Sequence, residues 1–409
     1  MFQHLDIYDP QERALVGLAD LALAAGALPL RLVRRHDGSP RRILLLRLER
    51  IGDLLMSLGA IRAVRRVAPD AVIDLAVGSW NEPVARLIPG VDRIDVLDLP
   101  WLARSARAGA ATAGLAGCAW RWRGRRYDLA INFEGDIRSH LLMAASLAGR
   151  RVGFDQAGGG SLLTDRLRLD PGVHTAENGL RLVERAFDLE PGSLPRPSDP
   201  GAAADWQLPL PPPLAAAGGA VLESAGVDQR SPYPIVAMHV PGGRAIKQWP
   251  PDRFAEVARR LIDEHRARIV LTGSVADAPV LADLAASLPP APAVTDLSGR
   301  LDLLTLAAVL GHCDLMVTGD TGPMHVAAAV GTPVVAVFGP STPVRYAPLV
   351  ASRRIVRIDL PCAPCNRIRK PPERCTGGTP DCLSGLQTLA VVDAARSLLA
   401  ERSVSPRVT

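Results

Sequence analysis

The sequence predicts an α/β protein built from two successive parallel-sheet units. Three observations carry that expectation. Short apolar runs alternate with longer amphipathic stretches over residues 42–97 and again from residue 235 onward, the rhythm of strand, helix and parallel strand. Between these regions, residues 191–234 are rich in proline, alanine and glycine, the composition of an interdomain connection. At 409 residues the chain is also too long for one core of ordinary size.

Composition narrows the class. With 48% apolar and 22% charged residues the chain is globular, and with only 4% aromatics its cores are built from Leu, Val and Ala. All of its 47 basic residues except Lys247 and Lys370 are arginines, and the net charge is +5. That excess suits an acidic ligand or an anionic membrane surface and is too small to indicate nucleic acid. Residues 1–12 carry acids and lack the apolar core of a signal peptide. The most membrane-like run, residues 15–33, is interrupted by Asp20, Gly17, Gly26, Pro29 and Arg31, so no span and a cytoplasmic location are expected.

Residues 1–40 predict a helical arm, with a helix over 12–25 followed by the basic Arg31-Leu-Val-Arg-Arg35. Its basic end is either a solvated helix terminus or a rest for lipid headgroups. A strand over 42–47 then leads through Leu48-Glu-Arg-Ile-Gly-Asp53 into a helix ending before Pro69; strand 72–77, helix 82–87 and strand 94–97 follow. Asp53 thus falls at a helix N-terminus beyond a parallel strand, where open α/β sheets place their ligands. An ionised carboxylate there can take a proton from a sugar hydroxyl, or it can simply stabilise the first turn. Residues 104–126 end in Trp120-Arg-Trp-Arg-Gly-Arg-Arg126, a pairing of charge and rings suited to phosphorylated saccharide or headgroups, or an exposed helix end. A strand over 129–133 delivers Glu134, Asp136 and Arg138 as acceptor-side candidates, followed by a helix over 141–147 and a glycine-rich loop over 152–160.

Beyond a short helix near 214–225, strand 235–239 enters a loop containing Gly243 and Lys247. Where a generic positive charge suffices this chain uses arginine, so a lysine in a Gly-rich loop suggests a compact ammonium neutralising a diphosphate. The loop lacks the Gly-Lys-Ser/Thr ending of a P-loop, and no Gly-x-Gly-x-x-Gly follows the first strand, which argues against a dinucleotide oxidoreductase. Helix 251–264, strand 269–271 and helices 280–287 and 303–311 lead to strand 314–318, a turn at Gly319-Asp320, a helix opening at Thr321 and a strand over 333–338. The amides of Thr321 and Gly322 at that helix start form a candidate anion cradle. Asp320 beside it could accept bonds from sugar hydroxyls, and His325 lies one turn on along the same face. A bare helix cap and a satisfied imidazole remain the alternative.

The chain ends with Cys362-x2-Cys365-x9-Cys375-x6-Cys382 and a helix over 389–399. Four thiols at this spacing could hold a structural zinc or iron, stay reduced, or form a redox bridge. A metal ligated by four thiolates has no open position for substrate, so no catalytic cofactor is implied.

Taken together, these segments resemble the ADP-heptose:lipopolysaccharide heptosyltransferase family, glycosyltransferase family 9 of the GT-B fold. The likeness rests on Ile43-Leu-Leu-Leu-Arg-Leu-Glu-Arg-Ile-Gly-Asp53, the Lys247-Gln-Trp-Pro250 loop, Asp320-Thr-Gly-Pro-Met-His325, Gly331-Thr-Pro333 and Phe338-Gly-Pro340. The resemblance implies two Rossmann-like parallel-sheet domains facing a central cleft, with an arm over 1–40, an acceptor-side domain over 41–205, a linker over 206–234, a nucleotide-sugar domain over 235–350 and a Cys-rich tail over 351–409. It further implies inverting transfer from a nucleotide-sugar donor to a glycan or glycolipid acceptor, without a catalytic metal, by a protein able to rest on the cytoplasmic face of the inner membrane. Asp53 is then the general base, Lys247 with Thr321 and Gly322 the diphosphate clamp, and Asp320 and His325 neighbours of the donor sugar. Where the family often has Glu for the ribose, this chain has Asp277, one methylene shorter. A GT-B sugar-nucleotide epimerase and a non-catalytic nucleotide-sugar-binding or assembly protein stay open as alternatives.

Overall fold

The computed structural model describes residues 2–26, 38–98, 108–199, 201–290 and 292–403; the basic segment 31–35 lies outside the described residues. It divides into two compact units, Met1–Asp205 and Trp206–Thr409.

In the first unit, strands β1 (Arg42–Leu46), β2 (Val72–Val77), β3 (Arg93–Val96), β4 (Leu129–Asn132), β5 (Arg150–Phe154) and β6 (Asp165–Leu167) form one sheet in the order β3-β2-β1-β4-β5-β6. All pairings are parallel, with Leu45 opposite Leu75 on one side and Ile131 on the other. Leu44, Leu45 and Leu46 are fully buried because helices cover both faces of such a sheet, which is why β1 is a continuous apolar run. The chain winds outward from β1 in one direction and, from β4, in the other. The switch point between β1 and β4 therefore opens a crevice beyond their carboxyl ends.

The second unit repeats the design with β7 (Ile235–His239), β8 (Arg268–Leu271), β9 (Val294–Asp296), β10 (Leu315–Gly319), β11 (Val334–Val337) and β12 (Arg353–Val356), ordered β12-β11-β10-β7-β8-β9 and again parallel. Its switch point lies between β7 and β10. Both units are Rossmann-like α/β layers, the architecture of a GT-B protein. Val391, Val392, Ala395 and Leu398 of the closing helix Thr388–Ser403 join the core under this sheet, so the tail is part of the second unit.

Several elements differ from the sequence reading. The helix expected after Asp53 is two helices, Ile51–Met56 and Leu58–Val67, broken where the Ser57 hydroxyl donates to the Asp53 carbonyl at 2.9 Å. Residues 152–154 are strand, not loop: Gly153 is accommodated in β5 because a Cβ there would meet His140 Nε2 at 2.9 Å. Strands β6 and β9 and the helix Thr175–Ala186 carried no expectation. The proline-rich region contains the helix Pro212–Ser224, which packs within the second unit against the helix Leu303–Gly311. The approach needs glycine, since a Cβ on Gly218 would lie 2.4 Å from the Ala308 carbonyl carbon. Among the described residues no helix is long and apolar enough to cross a membrane.

Candidate active site

In the first unit the switch-point crevice is lined by the residues that leave β1 and β4. Arg47, the first residue beyond β1, is buried, and its guanidinium is fixed by donating Nε to the Asp53 carbonyl (3.0 Å) and Nη1 to the Phe133 carbonyl (2.8 Å). It presents Nη2 to Asp53 Oδ1 and Nη1 to Glu49 Oε2, each at 3.5 Å. Asp53 is at the third position of the helix Ile51–Met56, where the macrodipole favours its charge, and its Oδ2 accepts from the Arg50 N–H at a long 3.4 Å. A quarter of the Asp53 side chain is exposed. Both contacts are near the limit of hydrogen-bond reach, so the carboxylate is oriented but not consumed.

Glu134, just beyond β4, is buried and supports the neighbouring turn. Its Oε1 accepts the Leu48 N–H, and the Glu49 N–H at 2.9 Å. Burial pushes its carboxyl up to about 8; the charge of Glu49 adds to this, while Arg47 and the two backbone N–H groups oppose it. The Glu49 carbonyl is gripped by Trp80 Nε1 and Asn81 Nδ2, both at 2.8 Å, which locks the turn from the other side. Arg47, Glu49, Trp80 and Asn81 were not singled out by the sequence reading. A charged residue directly after an apolar strand is the signal that could have found Arg47.

Asp136 and Arg138 behave differently. Asp136 caps the helix Ile137–Ala145 by accepting the Arg138 N–H at 2.8 Å, and it closes on the Arg138 guanidinium at 2.9 and 2.6 Å. Burial pushes its carboxyl up, but the bonds and charge of Arg138 outweigh this and hold it below the usual range. Each spends its charge on the other.

In the second unit the residues beyond β7 and β10 meet. Ile246 and Trp249 are buried and anchor the loop, Trp249 packing edge-on against Phe254 at 5.0 Å, and Lys247 lies between them. Lys247 Nζ is 2.6 Å from Asp320 Oδ2, so the sequence-predicted cation and carboxylate form one pair at the switch point. The helix Gly322–Ala329 starts beside them with no side-chain cap, the Thr321 hydroxyl bonding Thr318 Oγ1 at 3.2 Å instead. Pro323 has no N–H, so the amides of Thr321, Gly322 and Met324 make up this helix start. An ammonium beside uncapped helix amides is chemically suited to hold a phosphate chain. His325 is buried one turn further along the helix.

Asp277 is occupied locally: its Oδ2 accepts from the Ser274 N–H (2.8 Å) and hydroxyl (2.5 Å), capping its own turn. Gly243 is exposed at the loop tip. His239, the last residue of β7, escaped the sequence reading; it bonds Thr272 Oγ1 through Nδ1 at 3.1 Å. Burial lowers its pKa to about 4 against the opposing charge of Asp277 and the bond with Thr272, so it is neutral near pH 7.

Cys362, Cys365, Cys375 and Cys382 surround one pocket of about 20 Å³, together with Ile246 and Pro340. All four are free thiols, and among the described residues no group of three or more His, Cys, Asp or Glu is placed to hold a metal ion. The thiols share a pocket but do not fit a ligand set in this structure. Burial pushes the Cys382 thiol up to about 11, to which Cys365, Cys375 and Cys362 contribute.

Known proteins resemble this chain in architecture and, in part, in sequence. Lipopolysaccharide heptosyltransferase 2 of Salmonella typhimurium is 28% identical over 316 residues, covering 75% of this chain and 85% of that protein. The solved structure of the ADP-heptose LPS heptosyltransferase II of E. coli matches with a TM-score of 0.69 at 24% identity, over 88% of this chain and 99% of that one. A glycosyltransferase family 9 structure from Veillonella parvula matches with a TM-score of 0.74 at 22% identity, over 90% of this chain and all of that one. The family model for glycosyltransferase family 9 (heptosyltransferase) matches residues 119–375, a span that takes in Glu134, Lys247 and Asp320–His325 and begins after Asp53. With more than half of its length inside that match, the chain belongs to glycosyltransferase family 9 and is a glycosyltransferase.

Proposed function

We propose that this enzyme transfers heptose from ADP-heptose to a lipopolysaccharide core or related surface-glycan acceptor, with inversion at the anomeric carbon and Asp53 as general base. The donor and acceptor chemistry is taken from the relatives, whose names specify lipopolysaccharide heptosyltransferases and ADP-heptose. The observation that carries the choice of base is the state of Asp53. Of the carboxylates near the β1–β4 switch point, Asp136 is neutralised by Arg138 and Glu134 is buried under two N–H groups; Glu49 and Asp53 are both part-exposed at 3.5 Å from Arg47, and of these two Asp53 is the one in the first turn of a helix, where its charged form is favoured.

In the proposed reaction Asp53 accepts the proton of the acceptor hydroxyl as its oxygen bonds the anomeric carbon. The bond from that carbon to the diphosphate breaks, and its electron pair leaves on the diphosphate. Lys247 and the amides at the helix start of Thr321 and Gly322 stabilise the charge that grows there. For this Lys247 must shift part of its interaction from Asp320 to the diphosphate, leaving Asp320 able to accept from donor-sugar hydroxyls. His325 is assigned to the donor-sugar surroundings. With Asp277 capping its own turn, the ribose contact is assigned to no residue. The proposed chemistry uses no metal, and the cysteine pocket takes no part in it. The acceptor places the enzyme at the cytoplasmic face of the inner membrane.

Melting temperature measured against ADP-, GDP-, UDP- and dTDP-sugars and their free diphosphates tests the donor. Stabilisation by ADP and ADP-heptose above the others is expected. Preference for another nucleotide would overturn the heptose assignment.

A further inference from the structure

Beyond its first turn, which carries exposed Gln11 and Glu12, the outward side of the helix Pro10–Gly26 is apolar. Its polar and space-saving contacts turn inward: Asp20 Oδ1 accepts the Gly159 N–H at 3.0 Å, Gly17 makes room for Phe2, and Leu23 packs on Ala144 and Leu162. Leu15, Leu18 and Leu21 are left 69%, 56% and 55% exposed, and no exposed residue from 14 to 26 is charged. A surface helix ordinarily shows the reverse pattern.

Neighbouring elements tied to this helix also expose apolar and basic side chains. Ala144 belongs to the helix Ile137–Ala145, where Leu141 and the following Leu147 are also exposed. The Ala145 carbonyl accepts from Arg123 Nε at 3.0 Å, which ties in the end of the helix Ala108–Arg125. There Trp120 is 76% exposed, beside exposed Arg121, Arg123 and Arg126. In sequence, no acid occurs between Asp98 and Asp128 or between Asp20 and Asp37, stretches that hold six and three arginines.

We propose that this wall of the first unit docks on an anionic lipid surface. Leucines on a helix lying in the membrane plane sink into the boundary between headgroups and acyl chains, tryptophan favours that depth, and arginines pair with lipid phosphates. Charge separates this occupant from a second copy of the chain. In a two-fold dimer through this face the arginine cluster would approach its own copy, and like charges would oppose the contact. The inference deepens the reading of a lipid-linked acceptor and rests on it for its purpose, but its test involves no donor or acceptor.

The test is flotation of the full chain with vesicles of phosphatidylglycerol and phosphatidylcholine, beside vesicles of phosphatidylcholine alone, over a salt series. Selective, salt-sensitive binding to the anionic vesicles is expected. Arg121→Gln with Arg126→Gln should lower partitioning by roughly 25-fold, about fivefold per arginine, and Leu15→Ser with Leu18→Ser should lower it several-fold. These side chains are exposed, so the variants should melt with wild type. Equal affinity for both vesicle types, no binding, unchanged binding by both variants, or self-association through Leu15 and Leu18 seen by light scattering would each overturn the proposal. None of these outcomes would bear on nucleotide preference or on Asp53.

Discussion

Glu134 makes a sharp prediction at the scale of a single residue, because its folded-state pKa is raised well above that of an unfolded glutamate. Between the unfolded value and about 8 the native state holds a proton that the unfolded chain has released, so this group lowers stability as pH rises through that window. The slope is limited to about 1.4 kcal/mol per pH unit. Glu134→Gln keeps an oxygen for the Leu48 and Glu49 N–H groups while removing the titration, so its thermal stability should fall less than wild type between about pH 5.5 and 7, one unit inside the window's ends. Parallel pH–melting curves would refute the assignment. Lys247 bears on donor binding instead. Lys247→Ala removes the partner of Asp320 and the proposed diphosphate contact, so donor affinity measured by calorimetry should drop by about 2–4 kcal/mol, typical of losing one member of a charged, hydrogen-bonded pair.

Among the elements, the helix Pro212–Ser224 depends on close approach to its neighbour. Gly218→Ala drives a Cβ against the Ala308 backbone and should cost about 1–3 kcal/mol in denaturant unfolding. A neutral result would mean the two helices are not so close. The loop bearing Lys247 is similarly buttressed, since Ile246 lines the pocket of the tail cysteines. Ile246→Ala should destabilise by about 2–4 kcal/mol through the cavity it leaves, and should weaken donor binding with little effect on turnover at saturation. Elements with strong periodicity or unbroken apolar character were legible from sequence, among them β1, β2, β7 and the helix Leu303–Gly311. Those that were missed are short or atypical. Strands β6 and β9 are three residues each, and β5 contains Gly153; the helix Pro212–Ser224 was expected near 214–225, but as part of a linker, because its composition does not show that its glycine is a packing device. The break at Ser57 depends on one side-chain bond that propensity does not reveal.

At the scale of the molecule, two sheets of the same winding each place a pair of candidate residues at the one point where strand order reverses. This is why the candidate residues could be found from sequence: Asp53, Glu134, Lys247 and Asp320 all follow the strands that flank a switch point. What could not be read was the pairing, because the Lys247–Asp320 and Asp136–Arg138 contacts and the buried Arg47 depend on side-chain placement. The second unit has its own core and the proposed phosphate cradle, so residues 206–403 alone should fold and bind ADP. Failure of that fragment to shift an ADP titration would place part of the donor site elsewhere. The central claim, that Asp53 is the base, is tested most directly by Asp53→Asn, with single-turnover rate and donor affinity measured on the same preparation. A fall of roughly 10²–10⁴-fold in rate at nearly unchanged donor affinity is expected; wild-type turnover in the variant would contradict the assignment.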